Sequence, residues 1–90
     1  RMESTSQINN LDVYPNPSRD IFNIRFISEK IQDLSVRVLS IIGEVVYEEK
    51  ANQFIGEYTK QIDLTDNSKG VYFLEITTNK GVVNRKIVIQ

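Results

Sequence analysis

The side chains of this chain that could do chemistry are carboxylates, lysines, tyrosines and hydroxyls, because it contains no histidine and no cysteine. That inventory excludes imidazole bases, Ser-His-Asp and Cys-His nucleophile systems, disulfides and the usual zinc ligand sets. What remains for acid–base work is a pair of carboxylates, and the spacing supplies none. Glu48 and Glu49 are neighbours, so on a strand they point to opposite faces. Nothing in the sequence brings Asp12, Asp63 or Asp66 beside a distant glutamate, and there is no glycine-rich phosphate loop. The segment from Asp63 to Gly70 offers oxygen ligands of the kind calcium takes, but it lacks the run of acidic positions that ends in a bidentate glutamate. Its Thr65, Asp66, Asn67 and Ser68 bond locally to backbone instead, which predicts a short turn or half-turn of helix. Tyr47, Tyr58 and Phe73 could present a sugar-stacking platform, although aromatics scattered through strands ordinarily pack in the sheet. The residues thus predict no enzymatic activity, no metal and no cofactor.

Length and charge narrow the classes further. Ninety residues make one domain with one thin core. Eleven basic and twelve acidic residues are scattered along the chain for a formal net charge of -1, which leaves no footprint for nucleic acid or an anionic membrane. No apolar run approaches the roughly 20 residues of a membrane span, and no secretory-signal pattern opens the chain, so direct membrane insertion is not expected. Because the sequence starts at Arg1, it is expected to be a segment of something longer. Residues 1–10 are polar and aperiodic and predict the remnant of a linker; residues 11–90 predict the domain.

Within that domain apolar residues alternate with period two. Seven short strands are expected, around Leu11–Tyr14, Ile21–Ile27, Leu34–Val38, Glu44–Glu49, Glu57–Asp63, Val71–Thr78 and Val82–Ile89. They predict an all-β fold, an Ig-like antiparallel β-sandwich, with Phe22, Ile24, Phe26, Val36, Val38, Tyr72, Leu74 and Ile76 buried. Lys60 interrupts the inner face of the fifth strand. Pro15 and Pro17 fix their own φ and hold Tyr14 and Asn16 extended. Gly43 suits a tight connection, Ala51–Gly56 reads as a second turn, and Asn79, Lys80 and Gly81 as a hairpin turn. Tyr72, two residues after Gly70, is placed to bury its ring and bond its hydroxyl to upstream backbone. The last strand, Lys86 to Ile89 followed by Gln90, would expose an edge of unpaired backbone groups to a partner sheet, with Lys86 as a single charge beside Ile87, Val88 and Ile89.

The ordered series YPNPS, IGEVVY, IDLTDNSKGVYFLEI and RKIVIQ resembles the type A C-terminal sorting domain of the type IX (Por) secretion system over roughly residues 11–90. The family's YPNP entry corresponds to Tyr14, Pro15, Asn16 and Pro17, and its mid-domain glycine to Gly43. Its GxYxL strand corresponds to Gly70, Tyr72 and Leu74, and its terminal run to Lys86–Ile89. The resemblance implies a seven-stranded Ig-like sandwich that carries an upstream cargo domain through the periplasm to the surface or exterior of a Gram-negative bacterium. It also implies partners: translocon components, and a sortase-like peptidase that removes the domain. The candidate recognition residues are then Tyr14, Pro15, Asn16, Pro17, Gly43, Gly70, Tyr72, Lys86, Ile87, Val88, Ile89 and Gln90. In the loop before Gly70 the chain departs from the family, with Asn67 and Lys69 where leucine and proline are common. A carbohydrate-binding or adhesion module of a secreted protein is the alternative reading.

Overall fold

A 20-residue strand at about 3.3 Å per residue would extend roughly 66 Å, yet the longest dimension of the molecule is 35 Å. The two longest strands of this protein are therefore bent. The computed structural model describes residues 8–90; the expected linker residues 1–7 lie outside them. Five strands form one curled, mainly antiparallel sheet: β1 (Ile8–Tyr14), β2 (Ile21–Ser40), β3 (Val45–Asp63), β4 (Gly70–Thr78) and β5 (Gly81–Ile89). Their order is β1-β2-β4-β5, with β3 on β2.

The expectation of seven strands is corrected to five. The two strands expected in residues 21–38 are one, β2, and those expected in residues 44–63 are one, β3. The turn signals between them were sound chemistry with a different outcome. Gln53 has φ 53° and Gly56 has φ 102°, the left-handed region that suits glycine. Instead of reversing the chain they bend it while pairing continues, with Ser28 opposite Gly56 and Gln32 opposite Phe54. Residues 29–31 oppose Ile55 alone, a bulge that turns β2 in step with β3. The inside of the bend is polar and satisfied: buried Gln32 donates to the Ser28 hydroxyl (2.9 Å), which donates to the Lys30 carbonyl (2.8 Å).

Because β2 doubles back, its first half pairs with β1 and the second half of β3, and its second half with β4 and the first half of β3. Both ends of β2 return to one end of the molecule. There Asp63 opposes Ile21, Tyr72 opposes Ser40 and Ile89 opposes Gly70.

Alternation accounts for what fills the fold. Phe22, Ile24, Phe26, Val36, Val38, Tyr72, Leu74 and Ile76 are all buried, and Tyr58, Ile62, Leu64, Ile87 and Ile89 join them. Phe26 stacks on Tyr58 with ring centroids 4.8 Å apart, and Phe54 meets Tyr58 edge-on at 5.6 Å. β1 starts three residues before Leu11, with Ile8 already in the core.

Candidate functional site

The segment Tyr14–Pro17 and the last strand, 70 residues apart in sequence, form one structure. β1 ends at Tyr14 and both following X-Pro bonds are cis. The chain then lies along β5. The Asn16 side chain imitates a strand: its amide donates to the Lys86 carbonyl (3.1 Å) and its oxygen accepts from the Val88 amide (3.2 Å). Ser18 continues with real backbone pairing, its amide donating to Val88 O (3.0 Å) and its carbonyl accepting from Gln90 N (2.7 Å), in a parallel bridge with Ile89. Asn suits this task because its amide carries donor and acceptor together, as a peptide unit does.

The outer edge of β5 from Lys86 to Gln90 is thus occupied rather than offered, which corrects the expected row of unpaired backbone groups. Ile87 and Ile89 face the core and are buried. What the end of this strand shows to solvent from residue 86 onward is Lys86, half-buried Val88 and Gln90, bordered by Tyr14, Pro15, Asn16 and Pro17. Gly70 lies opposite Ile89 and Tyr72 opposite Ile87 on the other side of β5. Tyr72 is buried and donates its hydroxyl proton to the Ser68 carbonyl at 2.6 Å, as its position after Gly70 predicts. Gly43 stands apart from the clasp, in the β2–β3 hairpin with φ 87°, its amide donating to Ser40 O at 2.9 Å. The structure therefore unites eleven of the twelve candidate residues in or directly behind one surface, and sets Gly43 on the neighbouring hairpin.

The loop that departs from the family is held by other means. Lys69 pairs with the Asp20 carboxylate, and the Asn67 amide donates to Leu64 O (2.9 Å). Leu64 is buried and caps this end of the core, its amide donating to Asp20 O at 2.8 Å. Between this loop and the β2–β3 hairpin runs a groove of about 470 Å³ lined by Ile41, Ile42, Val46, Lys69 and Tyr72. The Asp63 carboxylate accepts from the amide (2.9 Å) and hydroxyl of Thr65, a local turn that holds the acid below its ordinary pKa. Among the described residues, no group of three or more acidic or other metal-ligating side chains converges.

Lys60 was the anomaly on the inner face, and its partner explains it. Because β3 bends, Glu49 from its first half meets Tyr58 and Lys60 from its second. Glu49 accepts from the Tyr58 hydroxyl (2.5 Å), Lys60 Nζ (3.3 Å) and the Tyr47 hydroxyl (3.4 Å). No period-two pattern could signal this cluster, since only the bend makes it. It removes Tyr58 from any sugar platform: the ring is buried against Phe26 and its hydroxyl is engaged. The Tyr58 hydrogen bond, then Lys60, hold the Glu49 carboxyl below its usual range, while burial pushes both tyrosine hydroxyls up. A lowered folded-state pKa gives stability that is full above the unfolded value and is lost as pH falls through the folded one. Thermal melts from pH 7 to 3 should show Tm falling below about pH 4, and less steeply in Glu49→Gln than in the natural chain. Equal slopes would mean that the carboxylate adds nothing to the bend.

Comparison with known proteins gives the family of this stretch. Residues 12–90 match the family described as the secretion system C-terminal sorting domain, a stretch that contains both halves of the clasp. A relative, "Ulvan lyase NLR42" of Nonlabens ulvanivorans, is 33% identical over 87 residues, which cover 94% of this chain but 15% of the relative. The chain thus spans a small fraction of that protein's length. With the matched segment running from β1 through the clasped last strand, this chain belongs to the type IX secretion C-terminal sorting domain family.

Proposed function

We propose that this domain is the transport address of a secreted protein, taken through the periplasm and across the outer membrane of a Gram-negative bacterium by type IX secretion components. The cargo lies upstream and carries whatever activity the whole protein has; the domain itself performs no catalysis and needs no cofactor. A sortase-like peptidase then removes the domain, leaving the cargo at the surface or in the medium. The observation that supports this reading best is the Asn16–Ser18 clasp on β5. It joins Tyr14–Pro17 and Lys86–Gln90, the two ends of the resemblance, into one surface that varied cargoes could carry unchanged. The lyase relative fits a cargo–address layout, since the matched part is a minor share of it. Recognition centres on Tyr14–Pro17, Lys86, Val88 and Gln90, with Gly70, Tyr72, Ile87 and Ile89 fixing the strand beneath.

The test is to fuse residues 1–90 behind a periplasm-targeted fluorescent reporter in a type IX-competent host. The reporter should reach the surface or medium, and should stay in the periplasm when the secretion system is deleted. Retention in the periplasm of the intact host would refute the address reading.

A further inference from the structure

We propose that the first half of β3, Val45–Asn52, is a second recognition edge of this domain, built to accept an extended strand from a secretion component that places a lysine or arginine opposite Glu48. This rests on the address function proposed above and identifies a partner surface separate from the clasp.

The inference starts from which backbone edges remain. β5 is occupied from Lys86 to Gln90 by Asn16 and Ser18. β1 is short, and its register breaks between Asn9 and Asp12, where Asn10 has φ 59°. Among the described residues β3 pairs with β2 alone, so its other side carries unpaired backbone groups. Gln53 and Gly56 divide that side in two, and both halves keep unbroken register with β2, over Tyr47–Ala51 and over Gly56–Asp63. Glu57 on the second half is already paired with Arg25, which leaves the first half. A regular, unpaired strand edge is chemically specific: it is completed by another extended backbone.

The outer face of the sheet then says what side chain that strand should carry. Val36 and Val38 point into the core, so Arg37 points out. Arg37 lies opposite Glu75 on β4 and opposite Glu48 on β3. Its guanidinium is bonded to Glu75, with Nη2 at 2.5 Å and Nε at 2.8 Å from the same carboxylate oxygen. Charge along this row reads Glu75, Arg37, Glu48, alternating in sign across three strands, and it stops at the edge. Glu48 is exposed and makes no hydrogen bond or ion pair among the described residues. Opposite charges facing one another across neighbouring strands stabilise pairing and like charges oppose it, so the next strand outward completes the row with a cation. The same rule disfavours a second copy of this chain paired in a register that sets Glu48 against Glu48. Toward the hairpin, Val45 is 41% exposed beside Ile41 and Ile42 at 71% and 84%. That end favours an apolar residue in the partner.

Charge on an exposed edge can also serve only to keep strands apart, and export separates the two roles. In the reporter fusion, Glu48→Lys should leave the melting temperature within a few degrees of the natural domain and lower the exported fraction at least tenfold. Lys80→Glu, an equal charge reversal in the β4–β5 turn, should export normally. A photo-crosslinking residue at Lys50 should join the fusion to a type IX component, and that crosslink should vanish in Glu48→Lys. Should Glu48→Lys fail to fold, Glu48→Gln keeps the Arg37–Glu75 pair and should still lower export about threefold. If the natural fusion is not exported, the address reading itself falls. If it is exported and the Glu48 variants match it, Glu48 is only an edge guard and this inference alone is wrong. Equal loss in Lys80→Glu, or a crosslink between two copies of this chain, overturns it as well.

Discussion

Phe26→Ala is expected to cost on the order of 3–5 kcal/mol, a large share of the roughly 5–15 kcal/mol that holds a small domain folded. Phe26 is fully buried on the first half of β2 and stacks at 4.8 Å on Tyr58 from the second half of β3. Its loss therefore empties the core and also removes the ring that seats Tyr58 for its bond to Glu49. The cavity cannot collapse easily, because β2 and β3 are tied to each other on both sides of the bend. Denaturant unfolding measures the cost. Phe73→Ala, on the outer face of β4 and half-buried, serves as the control and should lose much less. A loss below about 1 kcal/mol for Phe26→Ala would mean that the two halves of the curled sheet do not share one core.

The core was legible in the sequence because burial on one face of a strand imposes period two, and Phe22, Ile24, Phe26, Val36, Val38, Leu74 and Ile76 keep that period without interruption. Tyr72 was legible for a local reason: its hydroxyl reaches a carbonyl four residues upstream, in the loop that leads into its own strand. The strand count was not legible. Gln53 and Gly56 show turn chemistry whether the chain reverses or a paired ladder bends, and only the facing bulge at residues 29–31 decides between them. The Glu49 cluster shared that obscurity, since Tyr58 and Lys60 meet Glu49 only once β3 has folded over. The candidate surface was half legible. Its two segments stood out, one by its prolines and one by its apolar run, but nothing in either stretch announced that the first would lie on the edge of the second. Within Tyr14–Pro17 that contact is made by one side chain, Asn16, acting as a surrogate peptide unit beside the backbone pairing of Ser18.

Asn16→Ala is accordingly expected to release the edge of β5 without unfolding the domain. Two hydrogen bonds at about 0.5–1.5 kcal/mol each are at stake, with the low end favoured because Asn16 is exposed and water can replace them. Global stability should fall by roughly 1–2 kcal/mol, and local protection at the edge of β5 should fall with it. The Val88 amide donates to Asn16 Oδ1, so its hydrogen exchange should quicken about tenfold or more, each factor of ten corresponding to about 1.4 kcal/mol of lost local protection. Asn16→Asp separates the two bonds. It keeps an acceptor for Val88 but loses the donor to Lys86 O, so Val88 should stay protected while the Lys86 end loosens. If the clasped edge is the surface that type IX components engage, reporter export should follow this exchange order, lowest in Asn16→Ala and intermediate in Asn16→Asp. Unchanged Val88 exchange in Asn16→Ala would show that Ser18 alone holds the edge. Altered exchange with natural export would move recognition away from the clasp and onto the β3 edge around Glu48.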